Sequence, residues 1–140
     1  MPKSKPCELL AIIVADRVFR EEGTRKVHIS GTFSEIQAIA FPCRHPSMHL
    51  YVALTDARTG PHKGRIRFAY LDETQTEVLS SEGPLRVSGP LEVLELNAEF
   101  PNVLFPKEGT LAIEFWMDDV LIGSRKIGLT LAAGKRDKAG

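Results

Sequence analysis

Leu111-Ala112-Ile113-Glu114-Phe115-Trp116-Met117-Asp118-Asp119-Val120-Leu121-Ile122 is the stretch on which the fold turns. Leu111, Ile113, Phe115 and Met117 occupy alternate positions, the period of a half-buried β-strand, so the intervening residues fall on its other face. Asp118-Asp119 is a connection of hairpin length, and aspartate suits it because its side chain bonds the nearby backbone and tolerates a left-handed conformation. A two-residue loop sets Met117 opposite Val120 and Phe115 opposite Ile122, each pair on one face. Ile127, Leu129 and Leu131 then have the opposite parity, which predicts a break in the ladder near Gly123.

The same period recurs upstream. Met48, Leu50, Val52 and Leu54 alternate with His49, Tyr51, Ala53 and Thr55; after the turn-rich Arg58 to Gly64, Ile66, Phe68 and Tyr70 alternate with Arg65, Arg67, Ala69 and Leu71. These two runs read as a hairpin with a loop of moderate length. Leu9 to Ala15 is apolar at consecutive positions, a strand with both faces covered. Val27 and Ile29 lead to Gly31, and Phe33 to Phe41 reads as the same strand continued past a glycine bulge. A weaker strand is expected around Glu77 to Ser80, followed by a loop holding Gly83, Pro84, Gly89 and Pro90. In Leu91 to Phe100 the apolar parity switches, predicting a bulge near Val93 and Leu94, and Pro101 to Gly109 reads as a crossover between sheets.

No stretch has a helical period. The expected fold is therefore all-β: an antiparallel two-sheet sandwich of immunoglobulin-like or related topology with about eight strands, a closed barrel being the alternative. Its core should hold Ile13, Leu50, Val52, Leu54, Phe68, Leu96, Ile113, Phe115 and Ile122. Residues 1–7 form an N-terminal extension, 8–131 a single domain, and 132–140 a basic tail, with Lys135, Arg136 and Lys138, expected to fray.

With 140 residues the chain is too short for two cores of ordinary size, and no apolar run reaches membrane-spanning length. Its 18 basic and 18 acidic residues cancel, which argues against disorder and against a strongly cationic nucleic-acid binder. Lys3 and Lys5 before Leu9 to Ala15 imitate a signal peptide, but the run is short, Glu8 interrupts its entry, and Asp16-Arg17 follow where a cleavage site needs small residues. Cys7 and Cys43 lie in no CxxC pair and read as buried thiols in a reducing cytoplasm.

His45 and His49 have the spacing that ligates zinc on a helix, yet Pro46 disfavours a helix, and along a strand the two lie roughly 13 Å apart. His28 reads as an outward strand residue. No GxSxG is present, and Ser30, Ser80, Ser81 and Ser88 have no base at a fixed spacing. Asp16, Asp56 and Asp118-Asp119, with Glu21 and Glu22, would form an acidic calcium cup if the strands simply alternate up and down, although Arg17, Arg20, Arg25, Arg58 and Lys63 share that pole. No catalytic residue, cofactor or metal is assigned, and no enzyme activity is expected.

Charge is unevenly spread. Asp72 to Asp119 carries 11 acidic and 2 basic residues, a net charge of −9, and the remainder carries +9. Either the two halves neutralise each other within the monomer, or they present a two-signed surface, with Arg58, Lys63, Arg65 and Arg67 as its basic side. That cluster lacks the aromatic interleaving of a single-strand binder. Trp116 should face outward beside Leu121, with Glu114 on the same face, covered by a loop or the N-terminal segment or serving as an interface anchor.

Along the chain, the order of first strand, Ala15-Asp16, a short charged loop with Gly23, Val27 to Gly31, a Pro-rich turn before Leu50, Phe105-Pro106 with Gly109, and a terminal hairpin resembles a family of short bacterial proteins of unknown function. The resemblance runs over most of residues 8 to 131. It implies the sandwich and adds no site. The expected role is a non-catalytic binding or assembly module in the bacterial cytoplasm acting through an exposed sheet face or edge, with Trp116, Leu121 and Glu114 as candidate interface. Its partner would be a protein or a second copy of itself (a homodimer), with no nucleic acid and no membrane. A small-ligand domain for sugar, lipid or calcium is the alternative, and a hydrolase the less favoured one.

Overall fold

Alternation of this kind builds nine strands and no helix in the computed structural model of the chain, which describes residues 5–132. Most of the expected N-terminal extension and basic tail lies outside the described residues. The strands are β1 (Glu8–Arg20), β2 (Val27–Thr32), β3 (Glu35–Ala38), β4 (Cys43–Thr55), β5 (Gly60–Tyr70), β6 (Glu77–Val87), β7 (Leu94–Phe105), β8 (Gly109–Met117) and β9 (Val120–Leu131). They form two sheets, a four-stranded one ordered β2-β1-β4-β7 and a five-stranded one ordered β3-β9-β8-β5-β6. Between them Leu50, Val52 and Leu54 of β4 meet Phe68, Ile113 and Phe115 from the facing sheet, all fully buried. The all-β sandwich follows from this: each sheet hides its apolar face against the other.

The terminal hairpin forms as expected, with Asp118 and Asp119 both at positive φ, the conformation a two-residue turn needs to match strand twist. Its ladder breaks one residue earlier than the sequence predicts. Trp116 pairs with Leu121, but Phe115 pairs with Gly123, so Ile122 is the extra residue and not the partner of Phe115. A Cβ at Gly123 would run into the end of the Leu9 side chain of the facing sheet, which would have to turn aside.

Four other expectations are corrected. The chain after Gly31 does not continue β2: β3 crosses to the other sheet and pairs parallel with β9, so the architecture is not wholly antiparallel. The weak strand at Glu77 becomes an eleven-residue β6 that passes through Gly83-Pro84 opposite Lys63 and Gly64, which proline permits because β6 is an edge. Leu91 and Val93 are exposed and precede β7, so the parity switch marks a strand start and not a bulge. Pro101 is no crossover but a β7 residue opposite Ser47, again on an edge.

A second layer covers one face of the sandwich. Ala11 and Ile13 of β1, with Tyr51 and Ala53 of β4, point away from the main core, and Ala15, Val18, Val27 and Ile29 pack onto them. The distal half of β1 and its partner β2 thus fold back over their own sheet, held where the Asn97 amide donates to the Val18 carbonyl at 2.9 Å. Ile13 belongs to this small cluster and not to the core between the sheets. Leu96 is only partly buried against that core.

Candidate functional site

Among the described residues, a second apolar cluster packs on the outer face of the four-stranded sheet, whereas the outer face of the five-stranded sheet carries polar and aromatic side chains. Antiparallel register decides what stands there. Arg65 is opposite Trp116 and Arg67 opposite Glu114 across β5 and β8, while Trp116 is opposite Leu121 across β8 and β9. The Arg65 guanidinium lies over the indole, 4.9 Å from the ring centroid, a cation–π contact. The indole N–H donates to Glu114 Oε1 at 3.0 Å, and the same oxygen accepts from Arg67 Nη1 at 3.2 Å. Leu121 is 41% exposed beside them, and Lys126, opposite Ala112, adds a cation to the same face. Trp116, Leu121 and Glu114 are therefore brought together as the sequence predicts. Among the described residues, Arg65 lies over the Trp116 ring and Glu114 holds its N–H.

Carboxylates temper the cations. Glu77 accepts from Arg67 Nε at 2.8 Å, Asp119 pairs with Lys63 Nζ at 2.8 Å, and Glu95 pairs with Arg20 at 3.5 Å. Bonds to Glu77 and Glu114 keep Arg67 more basic than usual. Each of these links joins the acidic segment to the basic remainder, so much of the sequence asymmetry is neutralised inside the monomer.

At one pole of the sandwich a cleft of about 620 Å³ is lined by Lys5, Asp56, Arg58 and Asp118 among others. Behind its wall His62 is buried, with Nδ1 at 2.5 Å from Asp118 Oδ2 and Nε2 at 2.7 Å from the Arg58 carbonyl. Asp118 Oδ1 also accepts the Lys63 backbone N–H at 2.9 Å. The bond to the Arg58 carbonyl, then that to Asp118, raise the basicity of His62 against the cost of burial. Burial works to raise Asp118, but the bonds from His62 and Lys63 outweigh it and hold the carboxyl below its ordinary value.

The acidic cup does not assemble. Asp56 and Asp118 share the pole cleft, but β1 runs on past Asp16 to Arg20, so Asp16 lies instead beside Gly31, Glu35 and His45. No group of three metal-ligating side chains converges among the described residues. Sequence reasoning missed two features. His62 gains its partners only through the β5–β8 register, and Arg17, Phe19 and His28 stack on the exposed side of the β1–β2 ribbon, Phe19 and His28 with centroids 4.9 Å apart and 6° between planes. Alternation of Arg17 with Phe19 was the signal available for the second.

A family model, described as a family of unknown function (DUF6941), matches residues 10–130. The chain belongs to that family. No curated protein matches it. Among solved structures, the Pseudomonas fluorescens alkylpurine DNA glycosylase AlkC bound to DNA containing an abasic site analog is similar over 90% of this chain and 31% of its own, with 9% identity and a TM-score of 0.56. At that identity the likeness shows the fold, and this DUF6941 chain spans about a third of that protein's length.

One expectation is overturned here. The partner assignment of a protein or second copy with no nucleic acid is corrected, because this fold recurs in a protein that is described as bound to DNA. Of the two grounds given against nucleic acid, the balance of charge stands, but the want of an aromatic residue beside the basic cluster does not, because β8 sets Trp116 against Arg65 across the sheet. No helix of the described residues is long and apolar enough to cross a membrane.

Proposed function

We propose that this DUF6941 protein is a non-catalytic binding module, an immunoglobulin-like sandwich of the bacterial cytoplasm, that takes a single nucleic-acid strand on the outer face of its five-stranded sheet. The observation that carries the reading is the Arg65 guanidinium over the Trp116 ring, beside the exposed Leu121. The major groove of B-form DNA admits one helix or a two-stranded ribbon and not a five-stranded sheet, whereas unpaired bases stack on aromatic and guanidinium planes. Such stacking contributes about 1–3 kcal/mol per base and tolerates any sequence. Lys126 and the partly neutralised Lys63 and Arg67 flank the stack and would meet phosphates. Because carboxylates hold two of these cations, stacking should count for more than charge. The DNA-bound state of the AlkC neighbour is compatible with this reading, and the free thiols Cys7 and Cys43 suit a reducing compartment.

The test is fluorescence anisotropy of labelled single-stranded and duplex oligonucleotides at low and moderate salt. Binding should favour the single strand, and Trp116→Ala or Arg65→Ala should weaken it about tenfold or more, with a shallow salt dependence. No binding to any oligonucleotide at low salt, or variants that bind as tightly as the parent, would overturn it.

A further inference from the structure

His62 is the one buried polar or charged residue among the described residues, its side chain only 1% exposed. Both of its partners are acceptors: the Arg58 carbonyl has no proton to give, and the Asp118 carboxylate already accepts the Lys63 N–H. Only an imidazolium, with N–H groups on both nitrogens, satisfies the two together. Removing one proton leaves a nitrogen lone pair against an oxygen lone pair, at 2.7 Å on the Arg58 side or 2.5 Å on the Asp118 side. The tautomer that keeps Nδ1–H retains the stronger, charge-assisted bond to Asp118, so the contact that fails is the one to Arg58.

What that contact holds is the tight loop before β5. Asp56 sits at φ +56 and Gly60 at φ +120, and Asp56, Ala57 and Arg58 form one rim of the pole cleft. Asp118, on the opposite rim, belongs to the β8–β9 turn, whose backbone N–H donates to the Lys63 carbonyl at 2.9 Å. We propose that His62 is a proton-controlled latch: protonated, it ties the Asp56–Gly60 loop to the β8–β9 turn and fixes the cleft; deprotonated, it releases the Arg58 carbonyl and lets that rim move.

The charged groups around it are few. Asp118 faces it from the β8–β9 turn, and the Arg58 guanidinium opposes its charge from its own loop. Lys63 is occupied by Asp119, and Asp56 and Lys5 border the cleft. Cys7, ahead of β1, is pushed up to about 11 by burial and then by the charges of Glu8 and Asp118, and stays a neutral thiol through the range concerned. His62 is thus the group at this corner that changes charge near neutrality.

The experiment is a nuclear magnetic resonance titration of the whole chain between pH 5 and 9, following the His62 ring nitrogens together with backbone order parameters of Ala57, Arg58 and Thr59. The ring should lose its proton above the ordinary histidine range. At the same midpoint the order parameters should fall from about 0.85 toward about 0.6, while those of β8 stay constant. His62→Gln should remove the step, and Asp118→Asn should move it to lower pH. If the ring titrates while the loop stays equally ordered, or the step persists in His62→Gln, the latch is wrong; the wild-type titration decides alone should either variant fail to fold.

Discussion

Gly31 and Asp16 show how one residue position constrains the next strand. Gly31 has φ +75, and a Cβ built there would lie 2.7 Å from Asp16 Oδ2. Both the left-handed backbone and the missing side chain are needed where β1 and β2 bend away from the sheet. Gly31→Ala should therefore cost about 1–3 kcal/mol, read as a lower urea midpoint at unchanged slope. A control is Gly83→Ala, which meets open space without a positive φ and should change stability little. Trp116 illustrates the opposite situation, a side chain whose setting comes from across the sheet. Its outward direction was legible from the alternation of Phe115 and Met117, but Arg65, fifty-one positions earlier in the chain, was not, since nothing local fixes the β5–β8 register.

At the scale of elements, the strands with strict alternation were legible and the irregular ones were not. β4, β5, β8 and β9 each bury one face between the sheets, so apolar period two reports them directly. β3 is four residues long and pairs parallel with β9, a crossing that leaves no periodic trace. β6 and β7 carry Pro84 and Pro101, which read as breakers until the strands are known to be edges. The β1–β2 ribbon is the element whose attachment can be tested alone. Besides its small apolar cluster, it is held by the Asn97 amide at the Val18 carbonyl and by Arg20 at Glu95, which also accepts the Tyr51 hydroxyl. Asn97→Ala removes the bond to Val18 and the Oδ1 contact with His49 Nδ1 at 3.2 Å, and should cost about 1–3 kcal/mol, the net worth of two hydrogen bonds. Amide exchange should quicken across residues 17–20 and 27–30 and remain slow in β8 and β9. Uniform acceleration everywhere would mean that the ribbon opens only with the whole molecule.

For the whole molecule, the charge division in the sequence is partly a division between sheet neighbours, which is why a zero net charge hides a surface stitched by Arg67–Glu77, Arg67–Glu114 and Lys63–Asp119, with Arg20–Glu95 reaching across β4. Pairs as exposed as Lys63–Asp119 add little, so the pH dependence of stability should be governed chiefly by the buried His62 and its partner Asp118. His62 is raised from its ordinary 6.5 on folding, so its contribution is complete below that pH and is lost as pH rises through the folded value. Asp118 is lowered from its ordinary 3.8, so its contribution is complete above that pH and is lost as pH falls through the folded value. Asp72, drawn down to about 2 chiefly by the Lys107 ammonium, belongs to the same acid limb. Unfolding free energy measured by urea denaturation should therefore be highest between about pH 4 and 6.5 and fall on both sides. His62→Gln should flatten the alkaline fall while Lys107→Ala leaves it intact, so a profile whose alkaline limb survives His62→Gln would place the controlling group elsewhere.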